Sequence, residues 1–382
     1  MESARRLHIA YVLDVYDGVK TGGVVSARRF VEALRARHDV TVVTTGPPGP
    51  GRVALPGFYP PFVARVMREM GFVFAVPRRR VLEEVFRRAD VVHVQFPFWL
   101  GVRSASLARR LGKPLVAASH VQPENMLYNV GLRSAALSAA TYRFFLRTVY
   151  NRADAVICPS QFALDELRRH GLAVPAEVVS NGIGDEFRPG PAERAPRHQG
   201  TFLVLAVGRI AREKRLDVVV EAVRRSRHAD RVHLVVTGRG PDEEAIRRLA
   251  APLGDRAEIG FVTDDELRRL LGTADLLVHA SQVELEGMAV LEALGCGTPA
   301  LIADAPRSAA RQFAVSPAFL FRAGDAQDLA NHLDHLIESP AELAAARRRC
   351  GELAAGFRLG DSVRRLEAVY LRVARSAAGG PA

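Results

Sequence analysis

Short apolar runs of strand length alternate with amphipathic stretches of helix length along nearly the whole chain, in two successive series. The first series of runs covers residues 7–13, 40–45, 91–95, 115–119 and 155–158; the second covers 202–207, 232–237, 257–261, 276–279 and 300–303. Between them lie helical patterns at 24–36, 105–111, 216–226, 242–253, 264–271 and 326–338. A strand that returns parallel to its predecessor needs a crossover, and a helix supplies it. The rhythm therefore predicts βαβ units with right-handed connections. The runs are apolar nearly throughout, as suits strands covered on both faces. The fold class is α/β, with doubly wound parallel sheets.

The rhythm breaks once, at 181–201 (NGIGDEFRPGPAERAPRHQGT), a stretch rich in Gly, Pro and charge that reads as an interdomain linker. At 382 residues the chain exceeds one ordinary core. We expect an N-terminal domain at 1–185 and a C-terminal domain at 186–360, with a helix at about 361–376 packing back on the first. After Pro340 the pattern is helical, and the tail at 377–382 is expected to be disordered. No residue-level repeat relates the halves. Open parallel sheets bind ligands beyond the carboxyl ends of their strands, so two such domains facing across a cleft would hold the site there.

Composition narrows the function. The chain is 48% hydrophobic and 25% charged, the balance of a globular protein. No apolar run approaches the roughly 18 residues of a spanning helix, and the first residues show no signal-peptide core. Cys158, Cys296 and Cys350 are widely spaced and form no CxxC, which predicts a reducing, cytoplasmic setting without disulfides or a cysteine zinc site. The net charge is +11, and 50 of the 53 basic residues are arginine. Such charge favours a phosphorylated substrate, an anionic membrane surface or nucleic acid. Nucleic acid is disfavoured, because no RRM, KH, zinc-finger or helix-turn-helix signature is present. The scarcity of lysine makes Lys214 stand out.

Two motifs carry chemistry. SQVELEGMAVLEALGCGTP at 281–299 follows an apolar run, and Gly287 is placed to open a short helix that Gly295 and Gly297 end. The first-turn amides of such a helix suit an anion. Glu284 and Glu292 bracket that turn, and carboxylates accept sugar hydroxyls well. Taken alone, the spacing fits an ordinary βα unit with a surface and a capping glutamate equally well. VGRIAREKRLD at 207–217 places Gly208, Arg209 and Lys214 on one strand-end loop, where a guanidinium fork and an ammonium would neutralise a diphosphate leaving group. A solvated basic loop is the plainer alternative.

Together Gly208-Arg209 with Lys214, Glu284 with Glu292, and Gly295, Gly297 and Pro299 resemble glycosyltransferase family 4, the large retaining GT-B group. Supporting pieces run through the chain in family order: Thr21-Gly22-Gly23, Ala89-Asp90 with His93, His120, Ala153-Asp154 with Pro159-Ser160, Asn181-Gly182-Ile183, and Ala274-Asp275 with Ser281. The resemblance implies two Rossmann-like domains. It implies that Arg209 and Lys214 hold the donor diphosphate, that Glu284 contacts sugar hydroxyls and that Glu292 holds the ribose. Gly287, Met288 and Ala289 would face phosphate or sugar through their amides, and Gly22 and Gly23 would approach the diphosphate. Gly208 and Glu286 fall among the donor positions, Glu286 where many members carry an aromatic. His120 matches an active-site histidine near the reacting sugar, although a lone histidine at a strand end is ordinarily structural. The family reaction needs no dedicated base, because the departing phosphate takes the acceptor's proton. No Asp-x-Asp pair appears, and we expect neither a metal nor a cofactor beyond the nucleotide-sugar co-substrate, with UDP-glucose the leading donor.

The polar stretch 119–129 resembles the diacylglycerol glucosyltransferase-like subgroup and nominates Glu124 and Asn125 as acceptor contacts. A lipid acceptor would need a membrane face at the inner leaflet. Residues 61–80 (Phe62, Val66, Met67, Met70, Phe72 and Phe74 beside Arg65, Arg68 and Arg78–Arg80) and 142–147 offer basic and aromatic side chains for it. The same residues also suit a domain core. The alternatives are a GDP-sugar or soluble-acceptor transferase and a nucleotide-sugar epimerase. An NAD-dependent dehydrogenase is disfavoured, because no GxGxxG joins the first strand to its helix.

Overall fold

The computed structural model describes residues 5–378 except 19, 20, 62, 70, 130 and 133. Phe62, Met70 and the 379–382 part of the tail lie outside the described residues. The chain divides into two compact units, residues 1–182 with 359–382, and residues 183–358.

In the first unit the elements follow as β1 (His8–Val12), α1 (Gly22–Arg35), β2 (Asp39–Thr45), β3 (Arg52–Leu55), β4 (Gly57–Phe58), α2 (Ala64–Glu69), β5 (Phe74–Ala75), α3 (Arg79–Arg88) and β6 (Val91–Val94). Then come α4 (Trp99–Arg110), β7 (Leu115–Ala118), α5 (Pro123–Asn129), α6 (Ala135–Thr148), β8 (Ala155–Cys158), α7 (Gln161–Arg169) and β9 (Ala176–Val178). The main sheet runs β3-β2-β1-β6-β7-β8-β9 and is parallel throughout. Its order reverses between β1 and β6, so ligand-facing loops are expected beyond Val12 and Val94.

The second unit comprises β10 (Phe202–Val207), α8 (Leu216–Arg225), β11 (Val232–Thr237), α9 (Glu243–Ala250), β12 (Ala257–Gly260), α10 (Asp264–Thr273), β13 (Leu276–His279), β14 (Val283–Glu284) and α11 (Met288–Gly295). It closes with β15 (Ala300–Asp304), β16 (Arg307–Ser308), β17 (Leu320–Arg322), α12 (Ala326–Glu338) and α13 (Pro340–Ala355). The parallel sheet β12-β11-β10-β13-β15-β17 reverses between β10 and β13. Leu203, Val204, Leu205, Leu234, Val235, Leu276 and Leu277 are buried on adjacent strands, which accounts for their unbroken apolar character.

Helix α14 (Leu359–Ala378) returns to the first unit. Val363, Leu366, Val369, Tyr370 and Val373 recur at helical spacing, and all join that unit's core. Both sheets are thus covered by helices whose apolar stripes are legible in the sequence.

Several side chains considered for a membrane face belong to the core instead. Met67 is buried, Phe72 packs edge-to-face with Phe74, Phe96 and Phe98, and Phe74 packs edge-to-face with Phe98. On α6, Ser138, Tyr142, Phe145 and Leu146 form the buried stripe, so Tyr142 and Phe145 are unavailable to a bilayer. Aromatic quadrupoles favour such edge-to-face stacking, and the cluster satisfies it internally.

Candidate donor and acceptor sites

In the second unit, the candidate donor residues lie on loops that leave β10 and β13, the strands flanking the switch point. After β10, Gly208 leads to Arg209 and the 3-10 turn Arg212–Lys214. Arg215 follows in the left-handed region (φ 49°), which breaks that turn and starts α8. After β13, the short strand β14 pairs with β16 and carries Glu284. The two loops meet: the Lys214 ammonium donates to the Glu284 carboxylate. They are also stitched through the backbone, with Gln282 N donating to Glu213 O at 3.0 Å.

This pair is shielded but not sealed, with side-chain exposures of 20% for Lys214 and 17% for Glu284. His279 Nε2 lies 3.3 Å from Glu284 Oε1. Burial pushes the Glu284 carboxyl up. The Lys214 ammonium, and after it the His279 imidazole, outweigh that push and hold the group well below the usual carboxylate range. Glu284 is therefore an anion at neutral pH, able to accept hydroxyl donors.

Arg209 is held in the same manner. Its guanidinium donates to Glu213, a buried carboxylate four residues on. Each of the two cations has a fixed carboxylate partner, which orients it before any ligand arrives.

Glu286 is buried directly before Gly287. Gly287 has φ of 108° and caps α11, and a Cβ there would lie 2.8 Å from Ala310 Cβ. Glycine is required on both counts. Met288 and Ala289 form the first turn and are partly exposed, while Val290 N and Leu291 N donate to Gly287 O. The opening amides have no acceptor within their own helix, so this end suits an anion. Glu292 stands one turn after Met288 and is partly buried.

In the first unit, a second set gathers beyond β1, β6 and β7. Gly22 and Gly23 open α1. A Cβ on Gly23 would meet Phe96 Cε1 at 2.8 Å and His120 Cβ at 3.1 Å, which places His120 beside this loop. Packing around the His120 ring lowers its pKa, so the imidazole is neutral at pH 7. Gln95 Nε2 donates to Gly23 O at 2.8 Å, and Gln95 Oε1 accepts from Tyr11 OH at 2.8 Å. His93 Nε2 lies 3.1 Å from the same Oε1, and Tyr370 OH lies 2.8 Å from His93 Nδ1. These bonds assign the proton to His93 Nε2 and make Nδ1 the acceptor. A buried polar chain thereby runs from α14 to the backbone of Gly23.

Glu124 and Asn125 stand on α5, both partly buried. Tyr142 OH donates to Glu124 Oε2 at 3.2 Å, so this carboxylate also braces α5 against α6.

Reading the sequence did not single out Glu213, His279, Gln95 or Asp14. Glu213 and His279 adjoin recognised motifs, whereas Gln95 and Asp14 become conspicuous only through contacts. Asp14 follows β1 and is buried; its Oδ1 accepts from Ala75 N at 3.0 Å, and its Oδ2 has no partner among the described residues. Burial pushes its carboxyl up to about 7 from 3.8. The folded chain holds this proton more tightly than the unfolded chain. The associated stability is therefore present below about pH 4 and is lost as the pH rises through about 7. Asp14→Asn removes that dependence: relative to the variant, the wild type should lose stability between pH 5 and 8 in urea denaturation. A stability difference that stays flat over that range would contradict the assignment.

Comparison with known proteins adds to this geometry. The family model Glycosyltransferase Family 4 matches residues 20–187, and Glycosyl transferases group 1 matches residues 192–355. A GDP-mannose-dependent alpha-mannosyltransferase from Corynebacterium glutamicum is 26% identical over 324 residues, covering 79% of this chain and 73% of that protein. A D-inositol 3-phosphate glycosyltransferase from Catenulispora acidiphila is 29% identical, covering 90% and 84% respectively. The alpha-monoglucosyldiacylglycerol synthase of Streptococcus pneumoniae is 26% identical over 56% of this chain, and the match spans about half (51%) of the synthase. Among solved structures, Anabaena HepE in complex with UDP and glucose superposes with a TM-score of 0.74 at 17% identity, covering 95% of this chain and 99% of that one. WaaG, a glycosyltransferase involved in lipopolysaccharide biosynthesis, gives 0.69 at 17% identity, with the same coverage. These structural likenesses establish the fold: two Rossmann-like domains of the GT-B type.

Proposed function

Because the chain belongs to glycosyltransferase family 4, we propose that it transfers glucose from UDP-glucose to a hydroxyl of a diacylglycerol-type membrane lipid, with retention of anomeric configuration. That it is a glycosyltransferase using a nucleotide-sugar follows from the family. The donor, the acceptor and the stereochemistry are the proposal.

One observation supports the transfer chemistry: Lys214 and Glu284 are in contact at the ends of two adjacent strands, with the opening turn of α11 three residues further on. As the glycosidic bond breaks, negative charge grows on the diphosphate. Lys214 and Arg209 stabilise that charge in place, with no reorganisation needed. An ammonium has three donors, so its bond to Glu284 leaves capacity for phosphate oxygens. Glu284 accepts hydroxyls of the sugar, and Glu292 accepts those of the ribose. The leaving phosphate oxygen takes the proton of the attacking hydroxyl, and neutral His120 donates to a hydroxyl of the reacting sugar. The scheme draws its positive charge from Arg209 and Lys214 and invokes no metal.

A lipid acceptor is supported by the name of the pneumococcal relative and by exposed side chains of the first unit. On α6, Leu137 and Phe144 are exposed beside Arg143 and Arg147, and the helix contains no acidic residue. Arg65, Arg68 and Arg78–Arg80 are exposed as well. Such side chains suit peripheral contact with an anionic leaflet. Among the described residues no helix is long and apolar enough to cross a membrane. A second reading, GDP-mannose as donor, is favoured by the Corynebacterium relative.

The two readings separate in a donor panel. At about 100-fold excess over Kd the matched donor should stabilise the chain by about 2.7 kcal/mol. UDP-glucose should do so and should label diacylglycerol in anionic vesicles more than in neutral ones. Stabilisation and transfer with GDP-mannose alone would replace the first reading by the second.

A further inference from the structure

A cluster with no part in the scheme above lies at the other end of the second sheet. His198 ends the 3-10 turn Pro196–His198, His233 is the second residue of β11, and Glu258 is the second residue of β12. In the β11–β12 register Val235 stands opposite Glu258, so His233, two residues earlier, shares its face of the sheet. His198 Nε2 lies 2.7 Å and His233 Nε2 lies 2.9 Å from the same oxygen, Glu258 Oε1. Both imidazoles are almost wholly buried, and the carboxylate is one-third exposed. Three segments distant in sequence thus direct two nitrogens and one oxygen at a single point that solvent reaches from the Glu258 side.

We propose that His198, His233 and Glu258 form a binding site for a zinc-class divalent cation, with water in the fourth position. The donor set selects for the metal. Two imidazoles and one carboxylate match borderline ions such as Zn²⁺, whereas Mg²⁺ and Ca²⁺ prefer oxygen throughout. Metal–ligand bonds of about 2.0–2.2 Å in a tetrahedron separate ligand atoms by about 3.3 Å. The two nitrogen–oxygen separations need only lengthen by roughly half an ångström to admit the ion, the three ligand atoms already lie within 4.8 Å of one another, and Glu258 has the exposure to turn.

Arg197 competes with the ion. Its Nε donates to Glu258 Oε1 at 2.7 Å and its Nη2 to Oε2 at 3.0 Å. On metal binding it keeps Oε2 and orients the carboxylate from the outer shell, at the cost of a nearby like charge. The site therefore makes two opposite predictions for neighbouring residues. His233 precedes Thr237 by four residues, about 13 Å along the strand from the end that carries the donor loops. The ion's role is therefore to tie the 196–198 turn to the sheet, not to act on the donor.

The test titrates Zn²⁺, with Mg²⁺ as control, into the untagged full chain by calorimetry and follows the Tm. One equivalent of Zn²⁺ should bind and raise the Tm, and Mg²⁺ should do neither. His198→Gln keeps a neutral donor to Glu258 but loses an imidazole, and zinc affinity should fall at least tenfold. Arg197→Gln should instead bind zinc more tightly than the wild type. If His198→Gln fails to fold, the Arg197→Gln result decides, since a purely structural clasp gives no gain in affinity there. Absence of saturable zinc binding in the wild type overturns the proposal. So does wild-type affinity in a folded His198→Gln, which would place the metal on other histidines.

Discussion

Replacing Lys214 by alanine should lower turnover by on the order of 10²-fold or more, the scale of removing one preorganised charge-stabilising donor. The cause is local. Lys214 is one of only three lysines in the chain, and its ammonium is fixed by Glu284 between two strand-end loops. In the proposed scheme alanine removes the positive charge from the diphosphate; it also leaves Glu284 beside His279 without its main counterion. A stability loss of about 1–3 kcal/mol should accompany the kinetic loss, because a mostly buried carboxylate then lacks a donor. Lys214→Gln separates the two effects. Its amide still donates to Glu284, so stability should largely recover while turnover stays low. Recovery of turnover together with stability would show that Lys214 only supports the fold.

The second large effect is expected from Gly238, a residue outside the candidate donor set that packs against its backbone. A Cβ added to Gly238 would stand 1.8 Å from the carbonyl oxygen of Gly208 and 2.9 Å from its carbonyl carbon. That carbonyl cannot swing aside cheaply, because Gly208 N donates to Thr237 O at 3.0 Å and Ile210 N to Arg239 O at 2.9 Å. Gly238→Ala must therefore part the loops after β10 and β11 by more than an ångström. Overpacking of this kind costs about 1–3 kcal/mol. The displaced segment carries Arg209, and a misplacement of about 1 Å can cost roughly 10²-fold in rate. Tm and turnover should both fall. Gly351→Ala, in helix α13 with nothing within 4 Å of the added Cβ, should leave turnover unchanged and stability unchanged or slightly raised. Equal behaviour of the two variants would refute the packing argument.

The fold was legible because its strands are buried on both faces. Runs such as FLVLAV at 202–207 and LVAA at 115–118 declare themselves through unbroken apolar character. In the two main sheets the strands that escaped notice are the short edge strands RVAL in β3, AEV in β9 and LFR in β17, each too short to show a period; the two-residue strands β4, β5, β14 and β16 escaped as well. The helix α6 illustrates another limit. Its sequence shows aromatics beside arginines, but only the structure reveals that Tyr142 and Phe145 face the core while Phe144 faces outward.

The candidate donor residues were picked out through order and spacing. Their supports were not, because they depend on long-range contact. Lys214 meets Glu284 from 70 residues away, and His93 meets Tyr370 from 277 residues away. Periodicity is blind to such pairs. It is equally blind to the His198, His233 and Glu258 cluster, whose members are unremarkable in sequence and become a ligand set only when β11 and β12 pair in register.

The central claim is that Lys214, held by Glu284, stabilises the charge that develops on the leaving diphosphate. Single-turnover cleavage of bound UDP-glucose, compared between the wild type and Lys214→Gln at saturating protein, tests it most directly. The account predicts that both proteins bind the donor and that the chemical step in the variant is slower by roughly 10²-fold. Equal single-turnover rates, with the deficit confined to donor affinity, would contradict it.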